Sequence, residues 1–187
     1  MKYYVPFIAL LTIGCQAGVE VDHELKPNVP TEPVAESPKP EPAAEPQDPR
    51  DKPLRLHQLR TLDKRTIKVN GHTLTVWIMD EDSKRAEGMM HLEDKDVKDT
   101  EGMLFVFPDA QPRSFWMQNC PLGLDITYID AKGKVLNVGV GKPFDESGVP
   151  SSAPAKYVLE LKIGRAKKFG IKSGTVLSLP KDVKAKE

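Results

Sequence analysis

The sequence predicts a mainly β fold: one compact antiparallel domain, sandwich-like or barrel-like, with one or two short helices. Three observations carry this. Apolar runs are short and separated by Gly, Pro, Asn and Asp turn signals. Several alternate with a period of two, as half-buried strands do. Strand–helix–strand alternation of the usual length is missing, which disfavours a parallel α/β sheet. The domain is taken as 54–187, 134 residues, long enough for one adequate core.

The elements follow in order. Leu54, Leu56, Leu59 and Leu62 open the domain in a helical or extended segment. Thr66–Val69 and His72–Met79 flank Asn70-Gly71, and this pair supplies the two positive-φ positions of a tight hairpin turn. Leu74, Val76 and Ile78 share one face of the second strand, and Thr73, Thr75 and Trp77 the other. Asp80–Ser83 offers N-cap residues for a short helix with Ala86, Met89 and Met90 on one face and Gly88 as a weak spot or stop. His91–Glu101 reads as charged loop. Met103–Phe107 is a buried strand stopped by Pro108, and Asp109–Ser114 a polar turn. Phe115–Met117 is short and extended, so Trp116 faces away from its neighbours. Leu124–Asp130 and Lys134–Val140 form a second hairpin, with Leu124, Ile126 and Tyr128 opposite Asp125, Thr127 and Ile129. Gly141–Ala155 is a long Pro/Gly/Ser loop, a candidate for mobility or binding. Lys156–Lys162 is a strand, Gly164–Phe169 a helical turn or two ending at Gly170, and Thr175–Leu179 the last strand.

The residues before the domain read as an address and a spacer. Lys2, an apolar run from Val5 to Ile13, and Gly14-Cys15 resemble a lipoprotein signal peptide, 1–14, with Cys15 as the lipidated residue. A core of nine residues is too short to span a bilayer, which takes about 20. Thr12 departs from the usual lipoprotein box, where Leu is expected. Residues 15–53 form the lipidated cysteine and a disordered Pro/Glu-rich tether, with nine of the 17 prolines between Lys26 and Pro53. Fully extended, Gln16–Pro53 would reach ~120 Å. Gln16, rather than Asp, fits sorting to the outer membrane. In a single-membrane bacterium the same signal means the outer face of the cell membrane.

Residues quoted along the domain also resemble a known family. They are Arg85-Ala-Glu-Gly-Met-Met90, Gly102–Phe107, Phe115-Trp-Met117 with Asn119, Leu124-Asp125, Tyr128–Asp130, Gly133–Val135, Val158–Glu160, Gly164 and Gly170-Ile171. This pattern, over about 66–180, is similar to the prokaryotic domain of unknown function 192 family. The resemblance implies a compact β-rich domain, often exported, and no established reaction, cofactor or catalytic residue. Gln118, Cys120, Gly123 and Leu92 depart from the family's usual residues there. If relatives bind an anion through these positions, the resemblance implies weaker binding in this chain.

Function classes narrow accordingly. The domain carries 22 basic and 18 acidic residues, no basic stripe, so nucleic acid is a poor partner. His23, His57, His72 and His91 share no ligand spacing, so no metal or cofactor is expected. Cys120 could act as a nucleophile only with a nearby base, for which His72 and His91 are the possible partners; it reads instead as a small residue filling a Thr-sized space beside Asn119. Asp125 and Glu160 lie between apolar neighbours; they could divide acid and base work, but such residues more often pin loops by hydrogen bonds. Arg85 could pair with either. Phe115, Trp116 and Asn119 could make an aromatic and amide platform for an envelope glycan or protein. Candidate binding residues are therefore Arg85, Phe115, Trp116, Asn119, Asp125 and Glu160, with no catalytic residue assigned. The expected role is a non-catalytic binding or assembly module on a membrane through its lipid anchor. The alternative is a small envelope hydrolase using Asp125 and Glu160.

Overall fold

The computed structural model describes residues 48–186. The expected signal peptide, Cys15 and nearly all of the expected tether lie outside the described residues. Asp48–Pro53, assigned from sequence to the tether, are described, and they are fastened to the domain. Lys52 Nζ lies 2.8 Å from the buried carboxylate of Asp96, and Arg60 Nε 2.9 Å from Asp51.

The chain is mainly β, with two short helices. β1 (Lys64–Val69), β2 (His72–Met79), β3 (Glu101–Gln111), β8 (Ala155–Lys162), β5 (Leu124–Ile129) and β6 (Val135–Gly141) form a six-stranded sheet in that order. β4 (Ser114–Phe115) and β7 (Val149–Pro150) form a separate two-stranded ribbon. The helices are α1 (Asp82–Glu87) and α2 (Arg165–Lys168).

The Asn70-Gly71 hairpin forms as predicted, with φ of 46° and 80° and Val69 facing His72. The sheet is mixed rather than antiparallel throughout, because β2 and β3 run parallel. A parallel pair needs a crossover of a dozen or more residues. Residues 80–100 provide it, combining α1 with the charged stretch that sequence alone separated into helix and loop. The sheet does not close into a barrel. In place of the predicted last strand, Val176 and Ser178 make single bridges to Lys134 and Lys68, so one segment touches both edges of the sheet. β3 also runs on past Pro108. Its ladder with β8 breaks between Val106 and Gln111, so the missing proline N–H falls where no bond is required.

The sheet is buried on both faces, which explains the unbroken apolar runs of its central strands. One face carries Trp77, Met79, Met103, Phe105, Ile126, Tyr128 and Val158. It is covered by Leu59 and Leu62, by Met89, Leu92 and Val97 of the crossover, and by Met117–Leu122. The other face carries Ile67, Leu74, Val76, Ile78, Leu104, Leu159 and Leu161, covered by Ala166, Phe169, Ile171 and Leu177. Each fully buried side chain of this size contributes about 1.5–3 kcal/mol. The leading leucines divide: Leu59 and Leu62 are core, whereas Leu54 and Leu56 are exposed.

The Gly141–Ala155 loop is held against the aromatic segment. β7 pairs with β4. The Met117 amide donates to the Asp145 carbonyl (3.0 Å), and the Phe144 amide to the Cys120 carbonyl (3.1 Å). The Tyr128 hydroxyl donates to the Val149 carbonyl. This loop therefore positions Phe115–Cys120 over the first face.

Candidate functional site

Three stretches that are far apart in sequence meet on the first face. They are the end of α1, the segment Phe115–Cys120 and the β8 residue Glu160. Between them is a pocket of about 40 Å³, open to solvent. Its walls include Gly88, Met89, Phe105, Phe115, Met117 and Leu124, and Glu160 lies at its floor.

Strand register puts Glu160 there. It pairs with Met103 on β3 and Ile126 on β5, both on the first face. The residue is 4% exposed, and its Oε2 has no hydrogen-bond partner. Burial pushes its carboxyl up to about 8; the nearby Arg55 pulls in the opposite direction and does not offset it. At neutral pH the group is therefore mostly a neutral acid.

Gly88 forms the roof above it. Its φ of 49° and ψ of −132° end α1. A Cβ at this position would stand 3.2 Å from the Phe105 ring and 3.6 Å from Glu160 Oε2. Both the backbone conformation and the close approach favour glycine. Arg55 holds this turn from the leading segment. Its Nη1 donates to the Gly88 (2.9 Å) and Met90 (2.6 Å) carbonyls, and its Nη2 lies 3.3 Å from Glu87 Oε2. Glu87 in turn accepts from the amides of Leu56 (2.6 Å) and His57 (2.9 Å).

Phe115 stands edge-on to Phe105 and Tyr128, at 5.0 and 6.0 Å between centroids. Trp116 turns the other way, as its alternation predicts, and is 51% exposed at the mouth of the pocket. Arg85 lines the pocket too, but it pairs with neither Asp125 nor Glu160. It donates to the carbonyls of Asp80 (2.6 Å) and Val106 (2.9 Å), bonds Asp82, and lies over the Phe107 ring.

The pocket thus gathers Arg85, Phe115, Trp116 and Glu160, but not Asn119 or Asp125. Asn119 has a φ of 53°, a left-handed position that Asn tolerates, and its carbonyl accepts from the His91 amide (2.8 Å). Its place in the sequence is explained by the turn. Asp125 faces the second face of the sheet, where its carboxylate accepts from the Ala166 amide at 2.7 Å and starts α2. It pairs with Leu161, one residue beyond Glu160, so the two carboxyls project from opposite faces. They cannot share one substrate, which removes the carboxylate pair on which the hydrolase alternative rested. Cys120 is buried, and its thiol is pushed up to about 12, chiefly by burial and then by Glu160. A thiol in that state is a poor nucleophile. Among the described residues no group of three or more His, Cys, Asp or Glu is placed to hold a metal, and no helix is long and apolar enough to cross a membrane.

Sequence reasoning missed Arg55 altogether, and it took Gly88 as a weak spot or stop in a helix and as part of the family pattern, not as a pocket wall. The signal for Arg55 was a cation set between two leucines at the start of a leucine-rich segment.

The residues lining the pocket come largely from the stretches that carry the family resemblance. A family model described as DUF192, an uncharacterized ACR, matches residues 65–179. This chain belongs to the DUF192 family. Two solved structures resemble it. One, from Sinorhizobium meliloti, is named as a candidate transcription regulator; it is 31% identical, with a TM-score of 0.59 over 63% of this chain and 94% of that one. The other, a protein of unknown function from Novosphingobium aromaticivorans, is 28% identical, with a TM-score of 0.61 over 67% of this chain and 91% of that one. No curated protein matches this DUF192 chain.

Proposed function

We propose that this DUF192 protein is a non-catalytic binding module of the cell envelope, and that the head group of its ligand enters the pocket over Glu160. One observation carries the reading: a buried carboxyl oxygen without a partner lies at the floor of an open pocket assembled from the family's own signature stretches. Buried polar atoms are nearly always satisfied, and an exception calls for a reason. A ligand donor is such a reason. Catalysis is not part of the proposal, since Asp125 is on the far face and the Cys120 thiol is held protonated. The regulator role named for the Sinorhizobium meliloti protein is not carried over, because the domain's 22 basic and 18 acidic residues leave only a mild positive surplus.

The protein has a built-in reporter. It has two tryptophans, Trp77 fully buried and Trp116 at the pocket mouth. A panel of small charged and neutral fragments, titrated against the full chain, should include some that shift Trp116 emission. Trp116→Phe should remove that signal while the Trp77 emission stays. If no fragment of any class shifts the emission, the pocket is not a ligand site.

The lipid anchor at Cys15 and the Pro/Glu tether place this module at a membrane surface in the proposal. Two or more acyl chains anchor stably. Mass spectrometry of the mature protein is expected to show an acylated N-terminal Cys15. A mature chain starting at unmodified Gln16 or Ala17 contradicts the anchor.

A further inference from the structure

Resting on the binding-module reading, we propose that the pocket takes a primary ammonium head group, with the Glu160 carboxylate at its floor and Phe115 and Trp116 at its mouth. Size is the first ground. A void of about 40 Å³ has room for only about two or three non-hydrogen atoms, given that one water needs 10–15 Å³. A terminal amine and its first carbons fit, whereas a whole sugar or amino acid does not.

Polarity is the second ground. The floor offers an acceptor that nothing in the protein fills, since Glu160 Oε2 has no partner. The charged groups around it are already engaged. Arg55 gives Nη1 to the Gly88 and Met90 carbonyls and Nε to the His57 carbonyl, while its Nη2 makes an ion pair with Glu87 at 3.3 Å but no hydrogen bond. Arg85 is bound by the Asp80 and Val106 carbonyls and by Asp82. Glu87 holds the Leu56 and His57 amides, and the Tyr128 hydroxyl is given to Val149. The Cys120 thiol turns to the Met89 and Leu122 carbonyls. Of the two carboxylates lining the pocket, Glu160 is the one with an unpartnered oxygen, and so the acceptor left for an incoming cation. The lining is mixed: Met89, Phe105, Phe115, Met117 and Leu124 supply aromatic, aliphatic and thioether surface that tolerates a cation, and Arg85, Glu87 and Gln118 add polar groups.

Charge bookkeeping follows from the chemistry. The empty pocket holds Glu160 as a neutral acid at pH 7. An arriving ammonium forms an ion pair with the carboxylate, and the displaced carboxyl proton leaves to solvent. Binding therefore releases about one proton near neutrality. The aliphatic or ring portion of the ligand remains outside, where the exposed Trp116 face can cover it.

The experiment is isothermal titration of the full chain at pH 7 with n-propylammonium, 1-propanol and propionamide, each in two buffers of different ionisation enthalpy. The expected result is binding of n-propylammonium at least ~10-fold tighter than either neutral probe, with release of about one proton. Glu160→Gln should weaken the amine at least ~10-fold while leaving the neutral probes unchanged. Glu160→Asp, which keeps the charge but withdraws it, should fall between the two. Unchanged Trp77 emission and near-UV circular dichroism establish that the variants are folded. Equal or tighter binding of a neutral probe overturns the ammonium assignment but leaves the pocket as a ligand site. Amine binding unaffected by Glu160→Gln also overturns it. No binding by any of the three probes means a cavity for water only; it overturns the ammonium assignment, and with a silent fragment panel it overturns the binding-module reading as well.

Discussion

Unfolding titrations of the wild-type chain should show stability declining from pH 5 to pH 8, by on the order of 3 kcal/mol more than in Glu160→Gln. The sign follows from where Glu160 holds its proton. In the folded chain burial raises the carboxyl to about 8, against 4.5 for the ordinary group. Between these values the folded state binds the proton and the unfolded state does not. The contribution is complete below about 4.5 and is lost as pH rises through about 8. Glutamine keeps the shape and cannot ionise, so its curve lacks this component. The variant should be more stable than wild type at pH 8 and above. Parallel curves for the two proteins would show that Glu160 is not a buried, proton-holding group.

The second large effect is expected at Arg55. Arg55→Ala should destabilise the fold by about 3–5 kcal/mol, the range for removing one partner of a buried, hydrogen-bonded ion pair. The loss has identifiable parts. The Gly88 and Met90 carbonyls lose their donor, and Glu87 loses its guanidinium partner. These are the bonds that tie the leading segment to the end of α1 and hold the pocket's roof. Arg55→Lys should recover little, because one ammonium cannot reproduce the fork that reaches two carbonyls and a carboxylate. Urea midpoints of the three proteins measure this. A loss below about 1 kcal/mol would mean the contacts are solvated and unimportant.

Much of the fold was legible because local chemistry decides it. Asn70-Gly71 admits few turns other than the one observed, and the alternation of Leu124–Ile129 survives as two buried faces. The parallel β2–β3 pair was not legible. Strand direction is set by how the crossover packs, and residues 80–100 show no long helix to announce one. The site was half legible for a related reason. Phe115 and Trp116 could be placed because their alternation is local. Glu160 could be singled out as a carboxyl among apolar neighbours. Whether it met Asp125 depended on the register of β5 against β8, and a one-residue offset decides between one face and two. Arg55 escaped notice because most of its hydrogen-bond partners are backbone carbonyls, two of them more than 30 residues away, and backbone acceptors leave no mark in a sequence.

The most direct measurement is the carboxyl carbon resonance of Glu160, followed by NMR across pH in the full chain, with and without a fragment that shifts Trp116 emission. The expected midpoint is close to 8 in the free protein, and it should move when the fragment binds. A midpoint in the ordinary carboxylate range, unmoved by any fragment, would contradict both the buried acid and the pocket's role as a binding site.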